Sequence, residues 1–181
     1  MPRISRSQYA LLGILSFGPK SGYEIRKLIE SSIGFFWQES YGQIYPMLER
    51  LRSEKAVDVK EVEQKGRPDK KIYSLTEEGE AKLKSWLAAD AQKQPLRDEL
   101  LLKVFFGGLT DPGNLIRILQ NENFECREKL KIFQNIKKEL DVCSHENVKF
   151  SIFTLNYGIE YMKMQSKWCE KTIQEIQKEE K

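Results

Sequence analysis

Residues 40–75, SYGQIYPMLERLRSEKAVDVKEVEQKGRPDKKIYSL, read as a helix followed by a two-stranded hairpin. Ser40 with Gln43 three residues on is a capping-box pattern, in which the hydroxyl accepts from an orphan amide and the glutamine reaches back to the backbone. Ile44, Leu48 and Leu51 then recur at helical spacing and predict the buried face, which leaves Tyr41, Gln43, Met47 and Arg50 near the other one. Two runs rich in β-branched and aromatic residues, VDVKEVEQ and KIYSLT, flank a basic tip, KGRPDK, whose Gly66 and Pro68 supply the turn. This is the order of a recognition helix and its wing. Polar, planar and basic groups at a helix N-terminus suit the major groove, where side chains hydrogen-bond to base edges and the helix end favours phosphate.

Upstream, Tyr9, Leu11, Leu12 and Leu15 give a first helix over residues 5–16 that Phe17, Gly18 and Pro19 stop. Ser21, with Glu24 three residues later, caps a second helix carrying Tyr23, Ile25, Leu28 and Ile29, and Gly34 ends it. Phe35, Phe36 and Trp37 form an aromatic knot expected in the core. Pro46 removes one backbone hydrogen bond within the third helix and should bend its axis. Downstream of the hairpin, Thr76 caps a fourth helix with Glu77 and Glu78 in its first turn, and Leu83, Trp86 and Leu87 predict its buried stripe.

Composition bounds the reading without deciding it. The chain has 181 residues, 40% hydrophobic and 31% charged, which is ordinary for a globular protein, and its formal net charge is only +3. A nucleic-acid reading must therefore rest on where charge sits. Residues 1–94 hold 16 Lys and Arg against 13 Asp and Glu, whereas the remainder is balanced, and Lys65, Arg67, Lys70 and Lys71 crowd around the hairpin tip against Asp69 alone. The apolar run after the first residues is too short for a signal peptide, and no stretch approaches a membrane span, so a cytoplasmic protein is expected. Cys126, Cys143 and Cys169 are odd in number and widely spaced; reduced thiols in packed helices are expected rather than disulfides or a zinc site.

The composition changes at AADAQKQP, and Pro95 marks a hinge. The expected division is an N-terminal winged helix-turn-helix over residues 1–88, a linker over 89–95 and an α-helical domain over 96–181. In the last, Leu100, Leu101, Val104 and Phe105 predict a short helix ended by Gly107 and Gly108, and Asp111-Pro112 starts a long one. A final helix carries Phe150, Phe153, Tyr157, Tyr161, Met164 and Trp168 in steps of three and four. Two helices cannot enclose so many large rings, so a second copy of the chain is the expected cover and these six residues the expected dimerisation seam. The fold class is thus mainly α with a small β wing.

The stretches LLGILSFGPKSGYEI, GFFWQESYGQIYPMLERL and GRPDKKIYSLTEEG resemble, in order and spacing, the PadR family of bacterial transcriptional regulators. LRDELLLKVFF and YGIEYMKMQSKWCEK resemble the helical C-terminal domain of its longer members, shared with virulence-activator relatives. The resemblance implies a winged-helix dimer on a palindromic operator of double-stranded DNA, usually repressing a neighbouring gene, with some members releasing DNA when a small aromatic or phenolic effector binds. It implies no cofactor.

On this reading the DNA-binding set is Lys20, Ser21, Tyr23, Ser40, Tyr41, Gln43, Arg50, Lys65, Gly66, Arg67 and Lys70, with the helix N-terminus on bases and the wing on phosphate or minor groove. Taken singly, GRPDK is a solvated turn, Ser21 a cap and Tyr23 a core residue; their placement around the third helix favours DNA. Rings at Phe105, Phe106, Phe150, Phe153, Tyr157 and Tyr161 would hold an aromatic effector where the domains meet. An enzyme finds little support, because the single histidine, His145, has no nucleophile motif or metal-ligand spacing beside it. The other rival is a winged-helix adaptor that binds protein instead of DNA.

Overall fold

The computed structural model describes residues 6–37, 41–63, 70–92, 97–142 and 148–179, with Tyr41 and Glu179 described by backbone alone. The chain forms two compact units, Met1–Lys93 and Gln94–Lys181. In the first, the helices are α1 (Ser7–Leu15), α2 (Gly22–Ser31), α3 (Tyr41–Ser53) and α4 (Glu77–Ala88), and the strands β1 (Lys20–Ser21), β2 (Val57–Val62) and β3 (Lys70–Leu75). The strands make one antiparallel sheet in the order β1-β3-β2. The hairpin register pairs Val57 with Leu75 and runs to Val62 with Lys70, while Lys20 and Ser21 pair with Tyr73 and Ile72.

The periodicities account for the core. Leu11, Leu12 and Leu15 of α1, Ile25 and Ile29 of α2, Ile44, Leu48 and Leu51 of α3, and Val57 and Tyr73 of the sheet are all buried in one cluster. Met47 also leans on that cluster, so the exposed face of α3 is narrower than its sequence pattern indicates. The α3 helix ends without a glycine. Lys55 takes φ 57°, and the amide of Ala56 donates to the Leu51 carbonyl at 2.9 Å, the reversal that closes a helix through one left-handed residue. The Thr76 hydroxyl then joins two elements, donating to the Lys55 carbonyl at 2.7 Å and accepting from the Gly79 amide at 3.0 Å.

Two expectations are corrected. Phe35 and Phe36 pack edge to face with centroids 4.9 Å apart but stay largely exposed, because the turn that carries them follows the end of α2 and lies outside the cluster that α2 helps to enclose. Of the predicted stripe on α4 only Leu83 is buried: Trp86 stacks on Tyr9 at 4.5 Å yet stays partly exposed, and Leu87, near the helix end, is exposed. The stacking of α4 on α1 thus reaches Trp86 through Tyr9 and stops short of Leu87 at the helix end.

The second unit contains α5 (Glu99–Phe105), a 3₁₀ turn (Gly107–Leu109), and two long helices, α6 (Pro112–Asp141) and α7 (Val148–Glu179). Asp98 and Asp111 cap α5 and α6, accepting from Leu101 and Gly113 amides at 3.0 and 2.8 Å, and Pro112 occupies the first helical position. The two long helices run antiparallel. Leu115, Leu119 and Cys169 form one core cluster, and Phe133, Leu155 and Ile159 another. Their register is keyed by polar pairs between them: Gln165 Nε2 donates to Glu122 Oε1 at 2.7 Å, Ser166 Oγ to Asn123 Oδ1 at 2.6 Å, and Lys137 Nζ to Asn156 Oδ1 at 2.9 Å. Cys126 and Cys169 are free and buried, and burial with Glu122 nearby pushes both thiols up to about 11, which leaves them protonated and unreactive at neutral pH. Cys143 and His145 lie outside the described residues.

Gly79 gives the N-terminal unit a sharp test. A Cβ there would stand 2.0 Å from the Ala56 carbonyl oxygen, a backbone atom that cannot swing aside. Gly79→Ala should cost roughly 1–3 kcal/mol in urea unfolding, the range for overpacking, whereas Gly13→Ala, with nothing within 4 Å, should cost nothing measurable. Equal stability of the two variants would refute this packing of α4 on the sheet.

Candidate nucleic-acid interface

The start of α2 is organised by Ser21 and Glu24. The capping box is complete: the Ser21 hydroxyl accepts from the Glu24 amide at 3.3 Å, and Glu24 Oε2 accepts from the Ser21 amide at 2.8 Å and from its hydroxyl at 2.7 Å. The other carboxylate oxygen accepts from Lys70 Nζ at 3.0 Å, which links α2 to the strand leading into the wing tip. Ser21 is buried, as a cap should be, and Lys20 donates its ammonium to the Phe17 carbonyl at 3.2 Å. Tyr23 is not a core residue. It is 66% exposed on the first turn of α2, because Ile25 and Ile29 take the inward face.

α3 is set against this start by a close approach. A Cβ on Gly22 would lie 2.5 Å from Cε1 of Tyr45, so the Tyr45 ring rests on the glycine while more than half of it remains exposed. Tyr45 was not singled out by the sequence reading; the available signal was the glycine that directly follows a cap, where a side chain would have cost nothing to the helix itself. Gln43, two residues earlier and beside Gly42, is exposed. Tyr41 begins the helix, and Ser40 falls outside the described residues, as do Lys65, Gly66 and Arg67. Arg50 is exposed but engaged, its Nε lying 2.8 Å from Glu54, and that carboxyl is held below its usual range first by Lys82 and then by Arg50.

The wing lysines that are described are also engaged. Lys71 Nζ lies 3.9 Å from Glu49 of α3 and 3.9 Å from Glu61, its cross-strand partner. Glu49 accepts in addition from the Tyr73 hydroxyl at 3.5 Å, and burial followed by that carboxylate pushes the Tyr73 phenol up. In the second unit, Phe150, Phe153, Tyr157, Tyr161 and Met164 form one exposed stripe along α7, with Tyr157 72% exposed. Phe150 and Phe153 meet edge to face at 6.1 Å, and Tyr157 stacks on Tyr161 at 6.4 Å. Trp168 departs from the stripe and packs half-buried against the Leu115–Leu119–Cys169 cluster of its own chain. Among the described residues no group of three or more His, Cys, Asp and Glu is placed to hold a metal, and no helix is long and apolar enough to cross a membrane.

Three helices, a three-stranded wing sheet and an exposed polar helix start define a winged helix-turn-helix protein. Residues 11–85 match the model of the transcriptional regulator PadR-like family, and residues 96–177 match that of the virulence activator alpha C-terminal domain. The chain belongs to the PadR family of transcriptional regulators. It is 29% identical over 182 residues to the negative transcriptional regulator PadR of Bacillus subtilis, covering 95% of this chain and 98% of the relative. The crystal structure of that B. subtilis protein with operator DNA matches at a TM-score of 0.83 and 27% identity, covering 94% of this chain and 98% of the other. The structure with p-coumaric acid matches at 0.77 and 25%, covering 98% and 99%.

The Glu24 carboxyl is lowered to about 2, first by the Ser21 hydroxyl and amide and then by Lys70. Its folded value lies below the ordinary 4.5, so the stabilisation it gives is complete above about pH 4.5 and is lost as pH falls towards 2. Carboxyl-detected NMR should find Glu24 still ionised at about pH 3, where an ordinary glutamate is mostly protonated. A midpoint in the ordinary range would mean that the cap and the Lys70 bond are not formed in solution.

Proposed function

We propose that this chain is a cytoplasmic dimeric repressor that binds a palindromic operator and is released from it by a small aromatic or phenolic acid. The observation that carries the reading is the exposed polar start of α3 beside a tied wing, in a chain alike from end to end to a negative regulator solved on operator DNA. Tyr41, Gln43 and the exposed ring of Tyr45 would read base edges. Lys20, Ser21 and Tyr23 at the start of α2, and Lys65 and Arg67 at the wing tip, would meet the backbone. Ser40 and Gly66 would shape the two contacting segments, and Arg50 and Lys70 would contribute only as far as Glu54 and Glu24 release them.

Two half-sites must be read by two helices about 34 Å apart, which requires a dimer. The α7 stripe supports one: each large apolar side chain fully covered contributes about 1.5–3 kcal/mol, and five such side chains stand exposed. An effector loosens the complex only by preferring a dimer geometry that misplaces the two α3 helices. The p-coumaric acid bound to the B. subtilis relative makes phenolic acids the class to try here.

Fluorescence anisotropy on the promoter upstream of the chain's own gene tests the DNA reading. Arg67→Ala should weaken binding to all duplexes and reduce the salt slope by about one, while Gln43→Ala should cost about 1–3 kcal/mol at its own base position only. Added p-coumaric acid should dissociate the parental complex. Binding that ignores salt, or a stable complex with another protein in place of DNA, would favour an adaptor.

The dimer has its own check. Light scattering at micromolar concentration should give twice the chain mass for the parent and one chain mass for Tyr157→Glu combined with Phe153→Glu, since a charge on a covered apolar face is not tolerated. A parental monomer would remove the basis for two-fold operator recognition.

A further inference from the structure

We propose that Glu24 and Glu49 are positioning residues of the DNA-reading surface: two carboxylates, one from each helix of the helix-turn-helix, hold β3 from its two faces, fix the wing against α3, and withdraw Lys70 and Lys71 from the cations that meet DNA. This rests on the DNA-binding reading proposed above and assigns roles within it. Neighbouring strand residues point to opposite faces, so Lys70 and Lys71 cannot be served by one partner. Lys70 turns to Glu24 at 3.0 Å on the α2 side; Lys71 turns to Glu49 at 3.9 Å on the face that carries buried Tyr73.

The two carboxylates are themselves anchored. Glu24 is fixed by two hydrogen bonds from Ser21, so it cannot follow a moving lysine without uncapping α2. Glu49 is shared with the Tyr73 hydroxyl at 3.5 Å and with Arg52 at 3.6 Å. The backbone ladder from β1 stops at Ile72, and the ion pairs continue the attachment through Lys71 and Lys70, the last described residues before the tip. Exposed ion pairs add little to global stability, so these four residues are better explained by the geometry they impose than by the folding energy they supply.

The assignment predicts opposite electrostatic effects from the two ends of one pair. Glutamine at the third helical position still completes a capping box, so Glu24→Gln removes the tie and leaves the cap. In the full chain, Glu24→Gln should free Lys70 and steepen the salt dependence of binding to a scrambled duplex by about 0.9 in log–log slope, while preference for the promoter duplex falls. Lys70→Gln should lower the same preference with the slope unchanged. In the free proteins, hydrogen exchange of amides 60–62 and 70–72 should accelerate in both variants and in Glu49→Gln, with thermal unfolding midpoints near the parent's. The proposal is overturned if Lys70→Gln flattens the slope while Glu24→Gln leaves it alone, which would make Lys70 a phosphate contact, or if exchange is unchanged in all three variants. A parent that prefers no duplex would sink the DNA reading separately, and the exchange measurement would still decide whether the carboxylates hold the wing.

Discussion

Four residues at 21–24, Ser-Gly-Tyr-Glu, form the joint on which the N-terminal unit depends. Ser21 is the end of β1, paired with Ile72, and the cap of α2. Those two roles fix the same backbone, so α2 cannot start a residue earlier or later without breaking the sheet edge. Gly22 then lets the Tyr45 ring of α3 come within van der Waals range of the α2 backbone. Glu24 closes the cap with one oxygen and holds Lys70 with the other. Sheet edge, helix start, helix crossing and wing attachment are therefore one constraint, and a shift in any of them displaces the others.

The second unit is built on a different principle. α6 and α7 have little more than each other to pack against, so two small clusters and a ladder of polar pairs must carry their register. Such a pair buries one stripe on each helix and leaves the rest to solvent. On α7 the remaining stripe consists of large rings, and contiguous exposed apolar surface of that kind marks an interaction site on a soluble protein. α5 and the residue after it repeat the pattern, with Leu102, Phe105 and Phe106 mostly exposed. On the proposed dimeric reading, the rings left uncovered within one chain would be covered by a second copy.

The fold was legible where a period runs long enough to be read. Ile44, Leu48 and Leu51 announced the buried face of α3, VDVKEV and KIYSL announced the hairpin, and the caps at Ser21, Thr76 and Asp111 stand where their residue types require. The strand β1 was not legible, since two residues, Lys20 and Ser21, have no period. Nor was the end of α3, because a lysine takes the left-handed position that usually signals itself as glycine. Leu87 was misread, and the packing of Trp168 on its own chain unseen, for a further reason: helical spacing says which residues share a face, not whether a neighbour reaches far enough to cover it or covers it from its own chain. At the candidate site, the residues proposed to read DNA were named from their types alone, whereas the partners of Lys70 and Arg50 were not visible. Lys70 and Glu24 stand 46 positions apart, and no local pattern joins them.

Those hidden partners change the electrostatic argument. Residues 65–71 hold four cations in sequence, yet in the folded chain Lys70 and Lys71 already face carboxylates, and Arg50 on α3 faces Glu54. With a net charge of only +3, few unneutralised cations are left to each wing, so backbone attraction per protomer is modest on the proposed reading. Tight binding must then come from two protomers engaging two half-sites together, where the second contact is effectively intramolecular. A complex assembled in this way is strong when the half-sites and the two α3 helices share one spacing, and it weakens steeply when they do not. A ligand that favours another dimer geometry therefore needs only to end simultaneous engagement, without competing for a single contact to DNA.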